Sequence, residues 1–184
     1  MESSRPYDFL RKKNLSKVRG KLLYECKTPY HKLKVVEKED FRILISGTGM
    51  AREQTSIDLK DLHRHVFDYS LLAMNSLCFL DNISSALIVG LGGGVIPREL
   101  HHHYPEIKID ILEIDPEMIK VATEYFFFEE NENVRVILGD AFTTLQAFKG
   151  QYDFVMLDAF LENYTPFHLM TKEFLVLVKK TINS

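Results

Sequence analysis

Cysteine is scarce in this chain, with two in 184 residues, Cys26 and Cys78. A pair so widely separated provides neither a disulfide framework nor the close thiol spacing of a structural zinc site, and it suits a reducing compartment. The simplest expectation is two half-buried thiols. Long apolar runs are also missing. No stretch approaches the roughly 20 residues a membrane helix needs, and the opening Met1-Glu-Ser-Ser-Arg-Pro6 lacks the apolar segment of a secretory signal. The expected setting is therefore the cytoplasm, with no membrane partner. Positive charge is short too: 23 Lys and Arg stand against 26 Asp and Glu, for a net charge of −3. A nucleic-acid binder held by phosphate contacts needs the opposite balance. What remains, 46% hydrophobic and 27% charged, describes one sizeable globular core with a small appendage.

The pattern changes along the chain. Residues 1–20 are polar and basic and read as an N-terminal arm. Residues 21–58 read as a small antiparallel β-domain, with strand-like runs at Lys21-Leu-Leu-Tyr-Glu-Cys26, Tyr30-His-Lys-Leu-Lys-Val-Val-Glu37 and Phe41-Arg-Ile-Leu-Ile-Ser-Gly47. From residue 59 to 184 a Rossmann-like domain is expected. It opens with a helix through Phe79 whose buried face carries Leu62, Val66, Tyr69, Leu72 and Ala73. Strands near 86–91, 108–114, 134–139 and 153–158 then alternate with helices near 97–104, 116–127, 141–148 and 167–180. Alternation of this kind makes right-handed βαβ units and a parallel sheet with helices on both faces.

The chemistry concentrates at Ala86-Leu-Ile-Val-Gly-Leu-Gly-Gly-Gly-Val-Ile-Pro-Arg-Glu-Leu100, a buried strand running through Gly90, Gly92, Gly93 and Gly94 into a helix. Glycines there let backbone turn tightly and approach a ligand. About twenty residues on, the next strand ends in Glu113, where a carboxylate can accept from both ribose hydroxyls. A dinucleotide fingerprint wants a third glycine where this chain has Val95, so an NAD site loses ground. The clustered glycines, Glu113 and Gly139-Asp140-Ala141 fit an S-adenosyl nucleoside instead. Asp140 could accept from the adenine amino group; it could equally cap the helix beginning at Ala141, and the two roles are compatible.

These pieces, with Tyr30-His-Lys-Leu-Lys-Val35, Gln54-Thr-Ser-Ile-Asp58, Ile111-Leu-Glu-Ile-Asp-Pro116, Leu138-Gly-Asp-Ala141 and Tyr152-Asp-Phe-Val-Met-Leu-Asp-Ala-Phe160, resemble the spermidine and spermine synthases, the polyamine aminopropyltransferases, over roughly residues 28–180. The resemblance implies an α/β class I methyltransferase fold behind a small β-domain. It also implies a decarboxylated S-adenosylmethionine donor, a polyamine or other small amine acceptor such as putrescine, and no metal. An amine must lose its proton before attacking the carbon beside a sulfonium. Asp158, at the carboxyl end of the fourth parallel strand, is the candidate base; the plain alternative is an aspartate ordering its own loop. Gln54 is a candidate nucleoside contact. His31, where the family usually has glutamine, is a candidate ribose or sulfur-side contact, against the plainer reading of a histidine on a surface strand.

The chain departs from the family pattern at two positions. The glycine-loop aspartate that pairs with the donor's ammonium is Gly93 here, and the acidic residue three places after the base is Leu161, with Glu162 adjacent. A loop without that aspartate also admits the carboxylate of intact S-adenosylmethionine, because exposed amides at a helix start favour an anion. Methyl transfer is therefore the competing expectation, and a non-catalytic binding module the third. His101-His102-His103 cannot converge on one metal from consecutive helix positions, and Tyr125-Phe-Phe-Phe128 reads as core filling. The family continues past this chain's Ser184 with further strands, so C-terminal strands are expected to be missing. The fourth strand would then be an open edge, needing a homo-oligomer, a partner chain or the N-terminal sheet as cover.

Overall fold

A computed structural model describes residues 20–47, 52–80, 82–148, 151–160 and 165–183. The N-terminal arm through residue 19, and Leu161 with Glu162, lie outside the described residues. Four strands, β1 (Lys21–Lys27), β2 (Lys32–Lys38), β3 (Phe41–Ser46) and β4 (Arg52–Asp58), form an antiparallel meander in sequential order. The sequence pattern marked the first three strands, while β4 was visible only as a polar motif. Its alternation is interrupted by a bulge: Leu44 pairs with Thr55 and Ile45 with Glu53, which leaves Gln54 unopposed. A bulge turns neighbouring side chains to one face that a regular strand would split between two.

The expected long helix after Asp58 is a correction. Residues 59–67 are turns and bends, and the helix α1 spans only Asp68–Asn75, followed by a 3-10 turn at Ser76–Phe79. Asp58 accepts from the Lys60 N–H at 2.9 Å, and Asp61 from the His63 N–H at 3.1 Å. Such local side-chain bonds compete with helix formation. Of the five residues assigned to one buried face, Val66 is buried but Leu72 is 66% exposed.

The second sheet is parallel, with strand order β7-β6-β5-β8 from β5 (Ser85–Val89), β6 (Lys108–Glu113), β7 (Val134–Leu138) and β8 (Phe154–Leu157). Its helices are α2 (Val95–His103), α3 (Pro116–Phe126), α4 (Ala141–Ala147) and α5 (Lys172–Thr181), the last preceded by a 3-10 turn at Phe167–Met170. Along β5 the side chains alternate between two cores: Ala86 and Ile88 face one, Leu87 and Val89 the other. Burial on both faces is what an unbroken apolar run in a parallel strand predicts. This is the Rossmann-like methyltransferase fold behind an antiparallel sheet, with β8 at the sheet edge among the described residues.

Helix α3 joins the two sheets. Asp115 caps it by accepting from the Glu117 N–H at 3.0 Å, Pro116 fits its first turn, and Phe127 ends it at φ +56°. Ala122 packs into the core of the parallel sheet, while Met118, Val121 and Phe126 pack against Leu33, Leu44 and Ile57 of the antiparallel one. The aromatic run after it is therefore only partly core. Phe126 and Phe128 are buried, but Phe127 turns outward and Arg42 lies 5.5 Å from its ring centre. His101–His103 form the last turn of α2, where His102 stacks on His63 at 3.8 Å. Of the thiols, Cys26 is partly buried and Cys78 is exposed, not half-buried as expected. No helix among the described residues is long and apolar enough to cross a membrane.

Candidate active site

In an open parallel sheet, neighbouring strands whose crossovers run to opposite faces leave a crevice at their carboxyl ends. Here β5 continues to β6 on one side, while β8 returns to β5 on the other. The loop after β5 and the residue after β8 meet at that point. A cavity of about 410 Å³ opens there. Its floor is the carboxyl ends of the parallel strands, and its far wall is β4 with the start of β2.

The glycine loop is held from three directions. Gly90 has φ +102°, and a Cβ on it would stand 2.5 Å from the Asp158 carbonyl oxygen, so only glycine lets β5 and β8 close to this distance. Gly94 has φ +71° and abuts the Phe128 ring. Gly93 has an ordinary φ but is closed in by β4: a Cβ would lie 2.5 Å from Thr55 Cγ2, and its N–H donates to Thr55 Oγ1 at 2.9 Å. Gly90 and Gly92 line the cavity, whereas Gly93 and Gly94 lie behind its surface and shape the loop.

Glu113 is buried, and its two oxygens accept backbone bonds at 2.9 Å, Oε2 from the Leu91 N–H and Oε1 from the Asp115 N–H. Burial pushes its carboxyl up, with these donors working against the shift. The carboxylate thus fixes the turn of the glycine loop, and each oxygen keeps a lone pair for a further donor. Asp140 serves as the helix cap that was one of its two expected roles. Oδ1 accepts from the Thr143 N–H at 2.9 Å, and Oδ2 is paired with His168 Nε2 at 2.9 Å. Glu113, Asp140 and Ala141 all border the cavity.

Asp158 lies across from them at the end of β8. Among the described residues nothing donates a hydrogen bond to its carboxylate, and burial alone pushes its pKa up to about 6. That is far from a loop-ordering aspartate, which would be bonded to nearby N–H groups. Tyr69 of α1 also lines the cavity; burial, then the charge of Asp158, pushes its phenol up. The sequence pattern had placed Tyr69 on a buried helix face, and nothing in its spacing marked it as a cavity residue.

His31 corrects the surface-strand reading. It is 5% exposed, and both ring nitrogens are engaged: Nδ1 lies 2.9 Å from Asp115 Oδ2 and Nε2 lies 3.2 Å from the Phe160 carbonyl oxygen. Both partners are acceptors, so the geometry favours an imidazolium that donates twice. Burial works to lower its pKa, but the Asp115 carboxylate and the Phe160 carbonyl outweigh it and raise the group. On Asp115 burial opposes ionisation, and the bonds from His31, Thr28 and the Glu117 N–H hold the carboxyl below its usual range. His31 borders the cavity but has no free nitrogen for a ribose; it clasps the strand β2 side to the segment after β8.

Gln54 borders the cavity with Arg52, Glu53 and Thr55, four consecutive residues that the β4 bulge brings to one wall. Glu53 was not singled out in the sequence, where it stands as one charge in an exposed-looking polar run. Its Oε1 is shielded from solvent and without a hydrogen-bond partner among the described residues, and burial pushes its pKa up to about 7 against the pull of Lys38.

Comparison with known proteins gives the frame for this geometry. The model of the spermine/spermidine synthase domain matches residues 66–184. The polyamine aminopropyltransferase of Vibrio vulnificus is 38% identical over 168 residues, covering 89% of this chain and 56% of that protein. The chain thus spans about half the length of that curated relative. A spermidine synthase solved in complex with the transition-state analogue AdoDATO superposes with a TM-score of 0.70 at 20% identity, covering 88% of this chain and 55% of that one. Human methyltransferase-like protein 13, solved in complex with SAH, gives a TM-score of 0.53 at 30% identity, covering 62% of this chain and 56% of that one. With a parallel sheet, a glycine loop shaped by Glu113 and a domain match over more than half its length, this chain belongs to the spermine/spermidine synthase family.

Proposed function

We propose that the chain carries the donor site and the base of an aminopropyltransferase, moving an aminopropyl group from decarboxylated S-adenosylmethionine to a polyamine or related amine in the cytoplasm. The observation that carries this reading is the Asp158 carboxylate, partly buried and without a hydrogen-bond donor among the described residues, in the same cavity as Glu113, with a pKa raised to about 6. Glu113 takes the ribose hydroxyls on its remaining lone pairs, Asp140 and Ala141 border the adenine, and Gln54 contacts the nucleoside from the β4 wall. Asp158 accepts a proton from the acceptor's ammonium. The freed lone pair attacks the aminopropyl carbon bonded to the sulfonium sulfur, the C–S bond breaks, and its electron pair neutralises the sulfur to give methylthioadenosine. We assign residues 21–58 to the small β-domain and 59–184 to the nucleoside domain.

Asp158→Asn keeps the shape of the side chain and removes the base. It is expected to bind methylthioadenosine as the wild type does and to lose transfer by roughly 10²–10⁴-fold; full turnover in the variant rules out Asp158 as the base. In the wild type, transfer should rise as the pH climbs through about 6, because only the ionised carboxylate accepts a proton. Methyl transfer from intact S-adenosylmethionine is the second reading, favoured by Gly93 in place of an acidic loop residue and by the 30% identity to the human methyltransferase-like structure. Calorimetry with both donors separates the two, since tighter binding of the decarboxylated donor excludes methyl transfer and the reverse excludes aminopropyl transfer.

A further inference from the structure

The cavity contains a carboxylate that neither nucleoside binding nor proton transfer uses. We propose that Glu53 of β4 is an ion-pairing site for a primary alkylammonium, taking over in this chain the anionic role that the glycine loop does not supply. The inference rests on the donor and acceptor chemistry proposed above.

Three observations converge on it. First, Glu53 lines the same cavity as Asp158 and Glu113, yet its Oε1 has no hydrogen-bond donor among the described residues. Glu53 is partly buried, and a carboxylate oxygen shielded from water without a donor is unfavourable to the fold, so Oε1 is satisfied best by a donor that enters the cavity. Burial pushes Glu53 up to about 7 even against the charge of Lys38, and a second cation, held at Oε1, would draw it further toward the ionised form. Second, the glycine loop cannot carry an anion at Gly93. The side-chain space there is filled by Thr55, which is itself buried and bonded to the Gly93 N–H. Third, Thr55 and Glu53 lie on the same bulged stretch of β4, and both border the cavity. The strand that closes the loop position to an acidic side chain therefore brings its own carboxylate two residues away. Glu113, by contrast, already accepts from two backbone N–H groups, and Asp140 from Thr143 and His168.

Two ligands offer the required ammonium: the aminopropyl end of the donor and an end of the acceptor diamine. The test uses three probes in isothermal titration calorimetry on the wild type, Glu53→Gln and Glu53→Ala: methylthioadenosine, which has no ammonium, decarboxylated S-adenosylmethionine, and putrescine. Both variants are expected to bind methylthioadenosine as the wild type does and to bind one of the ammonium probes about tenfold or more weaker. The probe that is weakened identifies the source. Retention of both ammonium probes within twofold overturns the proposal. So does a loss of methylthioadenosine in both variants, which would make Glu53 a part of the wall and not an ion-pairing group. If the wild type binds putrescine but not methylthioadenosine, the nucleoside reading fails while Glu53 is still judged on putrescine. If the wild type binds none of the three, both readings fail.

Discussion

At the scale of single residues, the site is a set of charges whose environments push them apart. Glu113 and Asp140 are satisfied by protein donors, whereas Asp158 and Glu53 are left without any among the described residues. Glu113 holds the glycine loop and Asp140 caps α4, and on the proposed reading the other two exchange a proton or meet a cation. His31 and Asp115 form the complementary pair, both almost fully buried. The His31 pKa is raised on folding, so the stability it contributes is complete below its unfolded value near 6.5 and disappears as the pH rises through the higher folded value. Asp115 is lowered, so its contribution is complete above the unfolded value near 3.8 and disappears as the pH falls through the lower folded value. His31→Gln is therefore expected to cost about 3 kcal/mol at pH 6, with the gap to the wild type narrowing at alkaline pH. Denaturant melts across the pH range measure this, and a constant gap would show that His31 is neutral in the fold.

At the scale of elements, the glycine loop is defined as much by its neighbours as by its own sequence. Gly90→Ala puts a Cβ against the Asp158 carbonyl oxygen at a positive φ, so it should destabilise by more than about 1 kcal/mol and displace the end of β8. Thermal denaturation checks the first effect; weaker methylthioadenosine binding together with slower transfer checks the second. The four parallel strands and α3 were legible in the sequence because their signal is local, the alternation of apolar strand runs with helix-length segments; the Asp115 cap and the proline in the first turn of α3 agree with it in the structure. The helix after Asp58 was misread because apolar spacing alone does not register the turn-forming bonds of Asp58 and Asp61. Among the site residues, those at strand ends were legible for the same local reason. Glu53 and Tyr69 were not, since one reaches the cavity through a bulge and the other through the docking of a short helix.

At the scale of the whole molecule, the antiparallel sheet packs on both faces: Val36, Phe41, Ile43 and Ile45 gather with Val66 in a small core of their own, while the other face shares its core with α3. Leu33, Leu44 and Ile57 share theirs with Met118, Val121 and Phe126 of α3, whose other side faces the parallel sheet. Phe126→Ala should accordingly cost about 3–5 kcal/mol and lower the melting of both sheets in one transition. Two separated transitions would show that the sheets fold independently.

The clasp formed by His31 has a thermodynamic counterpart. Because the cavity's walls belong to different sheets, a ligand that touches both acts as a removable cross-link, and its binding energy adds to the stability of the seam. At a concentration a hundred times its dissociation constant this linkage amounts to about 2.7 kcal/mol. Ligand occupancy and the integrity of the fold are then two readings of one equilibrium, and the ligand-free protein is the form most open to local unfolding.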